Sequence, residues 1–267
     1  MAGAPVPWSI RLGNPNDCER AAKSLSVNGF CVLRGPVVAP AALTRCAKAV
    51  WERLDQLMQA AFRRGLDIDK GALRFNELMK RPGPRYDLRL PLGGATKHVP
   101  FDTASVPDAD SWTSILPLID AVVQSILPMM ALPVSRQRVK QWSAAVAGCV
   151  VAMPGAPRQP SHVDGEHLGL VNCFVPLVQV TARNGPTEIC PGSHQHPVEF
   201  LGDDGHAPLV GGVAPDLEPG DILLFHYRVV HRGLGNQAEA ARPVLYFTYG
   251  AAGETDTRNF PTDQPLL

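Results

Sequence analysis

An excess of charge of either sign is missing from this chain: lysine plus arginine and aspartate plus glutamate number 25 each among 267 residues. No overall field draws it to nucleic acid or to an anionic membrane surface, and neither is expected as a partner. The six cysteines (Cys18, Cys31, Cys46, Cys149, Cys173, Cys190) include no CxxC pair and lie scattered, several inside apolar runs. They read as the reduced thiols of an intracellular protein. No run approaches the roughly 18 consecutive apolar residues of a membrane span. The opening stretch, MAGAPVPWSIRLGNPND, has no basic region followed by an apolar one of signal-peptide length, and the closing DQPLL is not a Ser-Lys-Leu address. The expectation is a cytoplasmic protein. GxGxxG and GxxxxGK[ST] are absent, as are internal repeats and an alternating βαβ rhythm, which disfavours the nucleotide-binding α/β folds.

What is present is a composition for a buried core, 45% apolar and 19% charged, in a length that one domain, residues 1–267, accommodates. The 24 glycines and 26 prolines sit between short apolar runs, so the architecture is rich in loops. Helical spacing marks 16–28 and 40–63, where Leu43, Ala47, Val50, Leu54, Leu57 and Ala61 recur at three- and four-residue intervals and Pro40 suits a first turn. FCVLRG (30–35) between them reads as a strand. A third helix is predicted over 111–127, capped by Ser111, although Pro117 opposes it. From about residue 138 the texture changes to strands bounded by turn residues: VKQWSAAVAGCVVAM, LGLVNCFVPLVQV, DILLFHYRVVH and RPVLYFTYG. This predicts an α+β chain, mainly β at its core: a helical part and substrate lid in 1–137, and a sandwich or jelly roll in 138–267.

Chemistry concentrates in QPSHVDGEH (159–167). His162 and Asp164 are two apart, so on an extended strand both side chains leave one face and can share a metal. A His-x-Asp pair arises by chance in roughly one of two such chains, and a solvated loop is the competing reading. In DILLFHYRVVHRGLGN (221–236) a strand is expected to end at His231, before a Gly/Asn turn that Asn236 shapes. His231 there completes a two-His, one-carboxylate set of the kind that binds Fe(II) and leaves positions open. His226, five residues earlier, faces the other way and reads as a core histidine. Arg242 stands eleven positions after His231, at the start of the next strand, and a hairpin would bring the two together. Its fork suits a carboxylate, though alone it reads as a surface residue.

In their order, His162-Val-Asp164, NGPTEICPGSH (184–194), GDILLFHYRVVH (220–231) and Arg242 resemble the phytanoyl-CoA dioxygenase-like family, as does the N-terminal stretch 18–35 ending GFCVLRG. The resemblance implies a double-stranded β-helix, jelly-roll or cupin-like, with N-terminal helices packed on it. It implies Fe(II) on His162, Asp164 and His231, with 2-oxoglutarate held by Arg242 and O2 as the second co-substrate. Succinate and CO2 would be released while a substrate loses a hydrogen atom, usually to be hydroxylated. Related halogenases have a small residue in place of the carboxylate ligand; Asp164 is present, which disfavours halogenation. The family also makes Gly192-Ser193-His194 a turn, so His194 and His196 receive no metal.

Around that centre, Gln159 either hydrogen-bonds the co-substrate or is a solvated loop residue. Trp142 and Lys140 alternate on one strand, as substrate contacts or as a core Trp beside a solvated Lys. The segment RPGPRYDLRLPL (81–92), followed by Lys97 and His98, reads as a polar lip whose Arg85, Tyr86 and Arg89 touch substrate, or as a solvated charged loop. Glu166 and His167 adjoin the ligands and can support them. The substrate class expected is a small organic metabolite; a macromolecular substrate, or a jelly-roll binding domain without turnover, are the alternatives. Oligomeric state is not specified by these residues.

Overall fold

Period-two alternation gives each strand of the core one apolar face for the helices and one mixed face for a cavity. The computed structural model describes residues 6–14, 16–35, 37–68, 73–92, 110–133, 136–196, 209–256, 259–260 and 264–267. Among these, eight strands form one sheet: β1 (Ser9–Arg11), β2 (Phe30–Arg34), β3 (Leu78–Arg81), β4 (Arg85–Leu90), β5 (Trp142–Ala152), β6 (Leu170–Pro176), β8 (Ile222–His226) and β10 (Arg242–Ala251). Their order is β1-β2-β8-β6-β10-β5-β4-β3, antiparallel except for β1 on β2. The opposing sheet is small: β7 (Thr187–Ile189) on β9 (His231–Gly233), widened by single bridges from His162 to His231 and from Ile189 to Val213. Two sheets facing each other across a cavity, the larger one backed by helices, make the double-stranded β-helix.

On β10, Leu245, Phe247, Tyr249 and Ala251 join the helix-side core, while Arg242, Tyr246 and Thr248 face the cavity. The helices meeting that outer face are α1 (Asn16–Asn28) and α2 (Pro40–Arg63), with the bounds that spacing predicts, and α4 (Leu116–Ile126). In α2 the residues Leu43, Cys46, Val50, Leu54, Leu57 and Ala61 are buried as one stripe, with the proline in the first turn where its missing N–H costs nothing. The helix expected over 111–127 is two: α3 (Asp110–Thr113) and α4. Pro117 cannot donate to a preceding turn and sits instead at the start of the second. No helix among the described residues is long and apolar enough to cross a membrane. All six cysteines are free, and all but Cys18 are buried.

The segment read as a lip is a hairpin of the large sheet, with β4 paired on β5 along its length. Its alternation divides the expected substrate residues: Arg85 and Asp87 face the cavity, while Tyr86, Leu88 and Leu90 enter the helix-side core. The first 137 residues thus contribute four strands as well as the helices. Of the lid expected there, 93–109, with Lys97 and His98, lie outside the described residues.

Candidate active site

The β-register sets out the cavity wall in rows. Arg242, Ala152 and Arg85 lie side by side across β10, β5 and β4; Val244, Val150 and Asp87 form the next row, and Tyr246, Gly148 and Arg89 the third. Tyr246 lies across Gly148, where a Cβ would strike its ring, and its hydroxyl donates to Asp87 Oδ1 at 3.0 Å. Asp87 Oδ2 takes Arg81 at 2.8 Å. Burial raises the Asp87 carboxyl pKa, with Arg81 opposing that shift.

Facing this wall, His162 and His231 pair through reciprocal backbone hydrogen bonds of 2.9 Å. One bond therefore links two metal-ligand candidates that are far apart in sequence. The strand expected to run through to His231 ends at His226; the chain crosses over, and His231 opens β9 in the opposing sheet. His231 and Arg242 consequently meet across the cavity and not as neighbours in a hairpin. Both line it, with Asp164, Gln159 and Arg85. About 780 Å³ of space, open solvent included, lies between the lining residues, among which are also Tyr227, Asp256, Asn259 and Phe260.

His162 Nε2 is 4.0 Å and His231 Nε2 is 3.6 Å from the Asp164 carboxylate, and ligand atoms of all three lie within 4.8 Å of one another. Each imidazole bonds through Nδ1 to a backbone carbonyl, His162 to Pro160 at 2.9 Å and His231 to Val229 at 3.0 Å. A carbonyl only accepts, so Nδ1 carries the proton in both rings and Nε2 presents a lone pair. Burial, and then the neighbouring His231, lower His162 to about 4, which keeps it neutral. Asp164 Oδ2 accepts from Asn172 Nδ2 at 2.6 Å, and Asn172 Oδ1 accepts from Thr248 at 2.7 Å. Two imidazole Nε2 atoms and the Asp164 carboxylate thus converge on one point, a donor set that suits a cation. Two imidazoles and one carboxylate suit Fe(II) with positions left open, so the residues present fit that metal.

Arg242 is buried, and its Nε and Nη2 have no hydrogen-bond partner among the described residues. Burial, then Arg85, pull its guanidinium down to about 9, still charged at neutral pH. An orphaned buried cation on the cavity wall fits an anionic co-substrate. Gln159 is tied to β9: its Oε1 accepts from Gly233 N–H at 2.9 Å.

Other expected residues lie apart from the cavity. Trp142 packs in the helix-side core with its indole donating to Val139, and Tyr86 is in that same core. Arg89 stands in the third row of the wall without lining the cavity, held to Asn76 and over the ring of Phe260, itself a lining residue. His226 is buried against the Leu168 carbonyl, its ring beside His194 of the PGSH turn, and Asn236 bonds the carbonyls of Ala152 and Ala240. Glu166 pairs with Arg228, and His167 with Glu254. Sequence reasoning missed Asn172, Thr248, Asp87, Asp256 and Asn259. For Asn172 and Thr248 a signal existed: each is a polar residue inside an otherwise apolar strand.

A jelly roll with two imidazoles and a carboxylate converging inside it defines a class, that of non-haem metal proteins on the double-stranded β-helix. The particular family follows from comparison: the profile for phytanoyl-CoA dioxygenase (PhyH) matches residues 25–244, and this chain belongs to that family. Dioxygenase trt7 of Aspergillus terreus is 34% identical over 104 residues, which make up 34% of this chain and 34% of that protein. The chain matches about a third of the length of such curated relatives. Among solved structures, EctD from S. alaskensis in its apoform superposes with a TM-score of 0.60 at 17% identity, over 97% of this chain and 86% of that one. The epimerase SnoN, in complex with Fe3+, alpha ketoglutarate and nogalamycin RO, gives 0.56 at 16% identity over 95% and 97%. These likenesses establish the fold.

Proposed function

We propose that this protein is an Fe(II)- and 2-oxoglutarate-dependent dioxygenase that hydroxylates a small organic molecule, with release of succinate and CO2. The observation carrying this reading is the convergence, on one cavity, of three acceptor ligands that call for a cation and a buried unpaired arginine that calls for an anion. His162, Asp164 and His231 would hold the iron, and Arg242 the far carboxylate of 2-oxoglutarate. When bound, the iron and 2-oxoglutarate supply the reduction of O2 and the oxidising equivalent. The chain's own part is placement. Nδ1–H bonds aim both imidazoles, Asn172 aims the carboxylate, and apolar Val146, Val150 and Phe174 limit water at the reacting face. Asp164 fills the third protein position, leaving no gap for a halide. A concave cavity that Asp256 and Asn259 help to line supports a small polar substrate over a macromolecule.

Anaerobic addition of Fe(II) and 2-oxoglutarate is expected to give a weak visible metal-to-ligand absorption band. Fe(II) bound with no band would remove the co-substrate assignment. Asp164→Ala is expected to abolish succinate formation, and undiminished turnover would take Asp164 out of the metal site. Screening metabolites for stimulated succinate release would then identify the substrate.

A further inference from the structure

A second arginine shares Arg242's predicament. Arg85 is fully buried, and its Nε and Nη1 have no partner among the described residues, while Nη2 is held by the carbonyls of Pro157 at 2.9 Å and Leu234 at 3.0 Å. The nearest acid on its own strand, Asp87, is already taken by Arg81 and Tyr246. Arg85 and Arg242 both pair with Ala152, one from each side, so their Cα atoms are two strand spacings apart, about 10 Å. Both side chains enter the same cavity. Four unpartnered guanidinium nitrogens on two buried cations repel each other unless an anion lies between them. On β10 the next residue on the Arg242 face is Val244, buried and without a donor, whereas Arg85 brings two unpaired nitrogens to the same wall.

Its depth is also informative. A Cβ at Gly233 would strike Arg85 Nη1, which places that nitrogen against the residue two beyond His231. Two strand residues span about 6.6 Å, close to the length of a five-carbon dicarboxylate extended from the metal ligands.

We propose that Arg85 and Arg242 form a two-guanidinium clamp on the far carboxylate of 2-oxoglutarate, so that Arg85 serves the co-substrate and not the substrate. This rests on the reading of 2-oxoglutarate as co-substrate. It also explains why β9 carries glycine at 233: any side chain there would displace the clamp.

The test is calorimetric titration of protein loaded with redox-silent Mn(II), using 2-oxoglutarate and, separately, pyruvate, which keeps the 2-oxo acid but lacks the far carboxylate. Arg85→Gln is expected to bind 2-oxoglutarate on the order of 10- to 100-fold more weakly, the loss typical of buried charged hydrogen bonds, with its pyruvate affinity unchanged. Arg85→Lys, which keeps the charge without the fork, is expected to fall between wild type and Arg85→Gln, and stands in if the glutamine variant does not fold. Wild-type 2-oxoglutarate affinity in either variant would overturn the clamp, as would an equal loss for both ligands, which marks a merely structural role. If the wild type binds neither 2-oxo acid, the co-substrate reading fails and the clamp with it; if it binds both and only the variant comparison fails, the co-substrate reading stands.

Discussion

Asp164 is held from outside the metal cluster by a relay that starts two strands away. Thr248 on β10 donates to Asn172 on β6, which fixes the amide so that its Nδ2 faces Asp164 Oδ2. Without Asn172 the carboxylate is free to turn, and the ligand atoms lose the mutual spacing that a metal needs. Asn172→Ala is therefore expected to weaken Mn(II) or Fe(II) binding on the order of 10- to 100-fold, measured by metal titration of the apoprotein; unchanged affinity would show that the bond does not orient Asp164. Thr248→Val, acting one step further out, is expected to produce a smaller loss. At this scale the candidate metal cluster was legible because histidine, aspartate and their spacing are visible in the letters. Tyr86 was misplaced because the side of the sheet it faces depends on strand pairing, which its own segment does not reveal.

Among the elements, α2 contributes mostly packing. Leu57 is fully buried in the stripe that covers the outer face of the large sheet. Leu57→Ala is expected to lower unfolding stability by about 2–5 kcal/mol in urea denaturation while leaving 2-oxoglutarate affinity intact; a loss under about 0.5 kcal/mol would mean that the helix is not anchored there. β9 behaves in the opposite way, since one methyl group matters to the site. Gly233→Ala would press on Arg85 Nη1 and Gln159 Oε1, and its expected signature is weaker 2-oxoglutarate binding with pyruvate binding retained. The bounds of α1 and α2 were readable because 3.6-residue periodicity is local. The hairpin of β3 and β4 looked like a charged loop because the partner that makes it part of a sheet, β5, lies some sixty residues further on.

For the molecule as a whole, buried neutral histidines couple stability to pH. Burial lowers His194 to about 4 and His226 to about 3, the carbonyls of Ser26 and Leu168 opposing the shift. Unfolded histidine titrates near 6.5. Below that pH the unfolded chain takes up protons that the folded one refuses, so stability is full above about 6.5 and falls as pH drops toward 4. The slope is up to about 1.4 kcal/mol per pH unit for each histidine. Asp87, whose pKa burial raises, acts in the opposite sense and loses stability as pH rises from 3.8. With His162, three lowered histidines stand against one raised carboxyl and leave net acid lability. Urea unfolding followed from pH 7 to pH 5 is expected to show it, and His226→Gln to flatten it; a profile without slope would contradict the neutral burial of these rings.

Much of this protein was written locally. The helices α1 and α2, the strand-rich second half, and the ordered series His162, Asp164, PGSH, His231 and Arg242 follow from residue type, periodicity and short spacing, all properties of neighbouring positions. Only the tertiary structure decided that His231 opens a strand in a second sheet, that Tyr86 and Trp142 belong to the core, and that Arg85 and Arg242 enter one cavity. Those facts depend on which distant strands pair and with what register. A shift of one residue would reverse every inward and outward side chain, so no window of sequence contains that information.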